Sequence, residues 1–165
     1  MQRRVFYSFH YQPDNWRAAQ VRNIGVIEGN EPAKDNDWEA VKRGGDAAIR
    51  RWIAEQMKGR SCCVVLVGSA TANRKWINHE IIEAWNQRMG VVGIRIHGLK
   101  NREGYTSSKG GNPFDYITLG DHGRRLSSVA QCFDPSGQSS QERYDWIVKH
   151  LASVVEQAIE IRRNA

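Results

Sequence analysis

A chain of 165 residues is enough for one well-buried core and too short for two, so a single domain over residues 1–165 is expected. Hydrophobic residues at 40% and charged residues at 25% are ordinary for globular proteins and exclude disordered and fibrous classes. The formal charge of +6 suits a polyanionic or dinucleotide partner, yet the basic residues are dispersed and no stripe of them marks a nucleic-acid interface.

No apolar run approaches the roughly 20 residues needed to span a bilayer, so no membrane partner is expected. The opening passes directly into Val5-Phe6-Tyr7-Ser8-Phe9 without the apolar stretch and cleavage site of a secretory signal, and a cytoplasmic location follows as the expectation. Cys62 and Cys63 are adjacent within an apolar run, which would send their side chains to opposite faces of a sheet as reduced, buried thiols. The five histidines, His10, His79, His97, His122 and His150, lack ligand spacing, so no metal site is expected.

In chain order, 5–9 reads as a first strand feeding a polar loop through Asp14, after which Asp14 or Asn15 caps a short helix over 16–24. Residues 25–37 are rich in turn formers and read as loop, with a brief strand at Val26 and Ile27. Asp46 is a good cap for a helix over 47–57 that stops at Gly59, and Ile49, Trp52, Ile53 and Met57 give it one apolar face. The continuous apolar run over 62–67 marks a strand covered on both faces, hence central in a parallel sheet.

A helix opened by Thr71 or Asn73 continues to about Met89, and 91–96 forms the next strand, completing a βαβ unit. Residues 97–125 form a long irregular insertion suited to a functional loop. One weak strand lies within 126–133, and 142–162 closes the chain as an amphipathic helix. The order predicts an α/β fold, with four to five parallel strands and helices on both faces in a flavodoxin-like topology.

That topology hosts many functions, and ligands gather at the carboxyl ends of its strands. A Walker loop, the GxGxxG turn and the GxSxG elbow are all missing. The loop after the first strand also lacks the acidic pair of a phospho-receiver and the Ser/Thr/Gly-rich loop of a flavin site.

Three segments carry a resemblance. Val5-Phe6-Tyr7-Ser8-Phe9 is similar to the first strand of Toll/interleukin-1 receptor (TIR) domains. Val65-Leu66-Val67-Gly68-Ser69 and Trp76-Ile77-Asn78-His79-Glu80 resemble their third strand and the helix that follows. Within that superfamily, residues 4–10, Asp37-Trp38-Glu39 with Asp46-Ala47-Ala48-Ile49, residues 73–82 and residues 109–116 (KGGNPFDY) resemble the TIR-like proteins of Thoeris anti-phage systems. The likeness covers roughly residues 3–118. Two departures stand out: Ile77 replaces the cysteine common in plant TIR domains, and His10 and Tyr11 replace basic residues after the first strand.

In TIR enzymes the glutamate four residues after the helix tryptophan is catalytic, which by resemblance points to Glu80. The implied activity is cleavage of the nicotinamide–ribose bond of NAD to form a cyclic ADP-ribose signalling molecule during infection. That signal would act on a separate effector protein. NAD would be substrate, with no cofactor required, and self-association is left open. The resemblance admits a second reading, a non-enzymatic adaptor working through helix and loop contacts. Nucleic-acid binding rests on net charge alone.

The residue chemistry suits the first reading. Trp76 and Glu80 are i and i+4 on one helix face. A carboxylate beside the ribose stabilises the oxocarbenium-like charge, and one carboxyl group suffices because nicotinamide leaves a pyridinium as a neutral molecule. Trp76, Phe9 or His10 would supply a flat wall for that ring. Ser8 and Ser69 join them as candidate substrate contacts.

Spacing alone would make Glu80 an ordinary solvated helix residue, and it is the family register that favours catalysis. For Trp76, core packing is nearly as good a reading as binding; Ser69 bonds a phosphate or ribose or shapes the turn after the strand, with the two readings even. Arg74 and Lys75 oppose the helix dipole, which a diphosphate or simple solvation would offset.

Overall fold

The computed structural model describes residues 2–30, 40–120 and 123–165; the expectations for Asp37, Trp38, Glu39 and His122 lie outside them. Five parallel strands build the main sheet: β1 (Arg4–Phe9), β2 (Glu28–Gly29), β3 (Cys62–Val67), β4 (Gly90–Arg95) and β7 (Cys132–Phe133), in the order β2-β1-β3-β4-β7. This is the doubly wound order of flavodoxin-like folds, with its reversal between β1 and β3. A small antiparallel hairpin, β5 (Thr118–Leu119) with β6 (Arg124–Arg125), stands apart.

All six residues of β3 are buried, as its unbroken apolar run requires of a strand bonded on both edges to β1 and β4. The two-residue period then divides the core. Cys62, Val64 and Leu66 join one cluster with α1 (Tyr11–Arg22) and α4 (Ser140–Arg163). Cys63, Val65 and Val67 join the other with α2 (Gly45–Met57) and α3 (Lys75–Asn86). The adjacent thiols therefore sit free and buried on opposite faces, and burial pushes both well above the ordinary thiol range.

Several boundaries differ from expectation for identifiable reasons. Helix α1 begins at Tyr11, directly after the strand, so the polar loop and the 16–24 helix are corrected. Pro13 is tolerated in a first turn, and Asp14 pairs with Arg17 instead of capping. The brief strand falls at Glu28–Gly29 rather than at Val26 and Ile27. Asp46 lies inside the first turn of α2 and holds Lys75 at 2.7 Å, so it is no N-cap.

Thr71 closes the turn after β3 by accepting from the Gly68 amide at 2.8 Å, which delays α3 until Lys75. Arg88, at φ 64°, ends that helix before Met89 and lets β4 start at Gly90. Of the weak strand, only Cys132–Phe133 pairs, while Leu126–Ser128 is a 3-10 turn. The 97–125 insertion holds a 3-10 turn at Pro113–Tyr116 and both strands of the hairpin. Ser139 caps α4 by accepting from the Glu142 amide. Among the described residues no helix is long and apolar enough to cross a membrane.

Candidate active site

The alternation of β1 decides what can face α3. Val5 and Tyr7 enter the α1/α4 core and Phe6 the α2/α3 core, so Ser8 faces α3 and Phe9 faces away. Phe9 accordingly packs against the α1/α4 cluster, with its ring 6.1 Å from that of Tyr11. Ser8 is fully buried, and its hydroxyl donates to Glu80 Oε1 at 2.8 Å.

Ile77, Ile81 and Ala84 form the buried seam of α3, and Glu80 stands at its flank, reaching across to β1. The carboxyl is mostly enclosed, and this desolvation pushes its pKa up to about 8, against the opposing effect of the Ser8 hydrogen bond. Its second oxygen, Oε2, has no hydrogen-bond partner among the described residues. The Cys63 thiol of β3 lies near enough that Glu80 raises its pKa beyond what burial alone does.

Trp76 is one turn before Glu80, but its ring is engaged: Lys75 Nζ lies 4.9 Å from its centre and His79 meets it edge-on at 5.6 Å. The ring also packs on the α2/α3 core, so packing accounts for much of its presence. Lys75, tied to Asp46 and Trp76, is a structural cation. Arg74 is exposed, its side chain makes no hydrogen bond or ion pair among the described residues, and its charge lowers the pKa of His10 in addition to the larger effect of burial. His10 thus sits at the end of β1 beside the start of α3, its Nδ1 buried without a partner among the described residues.

The rim above these groups comes from two loops. Ser69 is exposed after β3, while its carbonyl and that of Gly68 are covered by Gly110 so closely that a Cβ there would stand 2.6 Å from each. Arg95 secures the crossing by donating to the Gly110 carbonyl at 2.6 Å. The KGGNPFDY segment is therefore bound to the carboxyl end of β3. Of the sequence candidates, the structure brings Ser8 and Glu80 into direct contact and sets Trp76 on the same helix. It holds His10 and Ser69 at the strand ends and turns Phe9 to the opposite face.

Sequence reasoning missed the Asp14–Arg17 pair, almost fully buried at 3.2 Å. Arg17 also donates to the carbonyls of Leu99 and Tyr105, anchoring the start of the insertion to α1. The i,i+3 spacing was the available signal, though it does not reveal burial.

A doubly wound parallel sheet carrying a partly enclosed carboxyl beside its β1/β3 reversal places that group where ligands of such α/β folds gather. A family model described as "Thoeris protein ThsB, TIR-like domain" matches residues 6–101, more than half of the chain. The chain belongs to this family of TIR-like domains. It is similar to a Bacillus cereus (strain MSX-D12) protein named "Putative cyclic ADP-D-ribose synthase ThsB1", with 38% identity over 122 residues, 71% of this chain and 64% of that protein. The matched portion is thus under two thirds of the relative's length.

Proposed function

We propose that this domain cleaves the nicotinamide–ribose bond of NAD and closes the remaining ADP-ribose into a cyclic signal for a separate effector in anti-phage defence. The observation that carries the reading is the Glu80 carboxyl, enclosed beside β1 with Oε1 held by Ser8 and Oε2 left without a partner among the described residues. The relative's printed name and the family match support the same reaction.

The raised pKa fits this chemistry. Alone, the carboxyl keeps its proton at neutral pH, but a cationic nicotinamide ring beside it favours ionisation. The carboxylate then stabilises positive charge growing at the anomeric carbon as the C–N bond breaks. Nicotinamide departs neutral with the bonding electron pair. A nucleophilic atom of the same molecule bonds to that carbon and closes the ring, its proton passing to solvent, and enclosure of the site disfavours competing attack by water.

The test is product identification by mass from cells carrying the active protein and from cells carrying Glu80→Gln. Nicotinamide and a species lighter than ADP-ribose by one water are expected only with the unmodified chain. Retained biological protection by Glu80→Gln, without that product, would replace catalysis with an adaptor role.

A further inference from the structure

We propose that Ser8 is the positioning residue of this site: its buried hydroxyl fixes Glu80 Oε1 and thereby aims Oε2 at the ligand, without itself touching substrate. The inference rests on the reading of Glu80 as the working carboxylate. Its basis is geometric. Ser8 is 0% exposed, so a ligand entering from the loop end reaches Glu80 before it could reach the hydroxyl. The register of β1 against β3 pairs Ser8 with Val65 inside the parallel ladder, one position before its carboxyl end, which leaves the serine little freedom to move. A carboxyl hung from a helix by two methylene groups has several rotamers, and one fixed hydrogen bond at 2.8 Å selects among them.

The same bond favours the charged form. Burial is the dominant influence on Glu80 and raises its pKa; donation from Ser8 opposes it. The surroundings contain little else to do so. On β3 the facing titratable group is the Cys63 thiol, kept neutral by burial. On α2, Asp46 is held by Lys75, and Arg50 acts on His79. On β4, Arg95 is directed to the Gly110 carbonyl. Ser8 therefore both orients the carboxylate and widens the pH range in which it exists.

The experiment follows the Glu80 side-chain carboxyl by carbon NMR across pH in the unmodified chain, Ser8→Ala and Ser8→Cys, with folding checked by circular dichroism. NAD turnover is measured on the same samples. Loss of a hydrogen bond to a charged group should raise the Glu80 midpoint by about one pH unit in Ser8→Ala, with a smaller rise in Ser8→Cys, whose thiol is a weaker donor. In turnover, the acid limb of the pH profile should move upward by the same amount. At pH 7, kcat should fall about tenfold while KM stays within about twofold, the pattern of a group that acts through another.

An unchanged Glu80 midpoint in folded Ser8→Ala overturns the inference, as does a KM rise with constant kcat, which would make Ser8 a substrate contact. Should the unmodified chain show no NAD turnover, the proposed function fails by itself. The NMR midpoint still decides the role of Ser8.

Discussion

The Asp14 carboxylate and the Gly68 backbone are in such close contact that a Cβ on Gly68 would fall 2.0 Å from Asp14 Oδ2. Gly68 directly follows the tightly buried β3, and Asp14 lies in the first turn of α1, so the contact joins the helix after β1 to the turn after β3. Burial raises the Asp14 pKa, and Arg17 opposes that rise through charge and a hydrogen bond. Gly68→Ala would force Asp14 off Arg17 and leave two buried charges poorly matched. The expected cost is about 2–4 kcal/mol in urea denaturation, with faster hydrogen exchange over residues 97–107. A loss under about 0.5 kcal/mol would mean that the pair moves as a unit without strain.

Glu80 also makes stability depend on pH. Its ordinary value is 4.5 and its folded value is about 8, so between those limits the folded chain binds more protons than the unfolded one. Stability attributable to this group is therefore greatest below about pH 4.5, falls as pH rises toward 8, and is level beyond. Glu80→Gln removes the burial cost of the charge while keeping the shape. Its melting temperature should exceed that of the unmodified chain at pH 8.5 by several degrees, with the gap shrinking by pH 5. Asp14 has a raised pKa as well, but it is common to both proteins and cancels. Identical melting curves at pH 8.5 would refute the assignment of Glu80 as a buried acid.

How much of this was visible in the sequence depends on what orders each part. Strand β3 was legible because coverage on both faces demands an unbroken apolar run. Helix α4 was legible from its stripe of Ile147, Leu151, Val154 and Val155. Glu80 emerged only through family register, since an i,i+4 pair says nothing of what lies opposite. The division of Ser8 from Phe9 follows from strand alternation, yet as sequence neighbours they read as equally available. The insertion over 97–125 was opaque because backbone contacts and isolated core anchors such as Leu99, Phe114 and Ile117 order it. The Asn101 side chain accepts from the amides of Glu103 and Tyr105, and Arg95 reaches Gly110. Such bonds leave no hydrophobic period to read.

Gly110 tests the loop crossing. Its α-carbon faces the carbonyls of Gly68 and Ser69, so Gly110→Ala must lift the 107–112 segment or break the Arg95 bond. Both carbonyls belong to backbone that cannot rotate aside. The core lies elsewhere, and the melting temperature should fall by no more than about 4 °C. NAD turnover should drop at least tenfold if the segment frames the ligand. Full turnover with a displaced segment would remove this loop from the site.

Arg74 and Lys75 are sequence neighbours with opposite fates, which makes them a paired test of the phosphate idea. Both place positive charge at the start of α3, where the helix dipole disfavours it by several tenths of a kcal/mol. Lys75 recovers that cost through Asp46 and the Trp76 ring. Arg74 has no comparable partner among the described residues and stands beside His10 at the end of β1. A diphosphate at this helix start would supply what Arg74 lacks. Arg74→Ala should weaken NAD binding about fivefold to tenfold in titration calorimetry with an unchanged melting temperature, since one charged contact contributes about 1 kcal/mol. Lys75→Ala should do the reverse, with affinity preserved and stability lowered by less than about 1 kcal/mol. Equal affinity for NAD in Arg74→Ala and the unmodified chain would leave Arg74 as a solvated surface charge and place the diphosphate elsewhere.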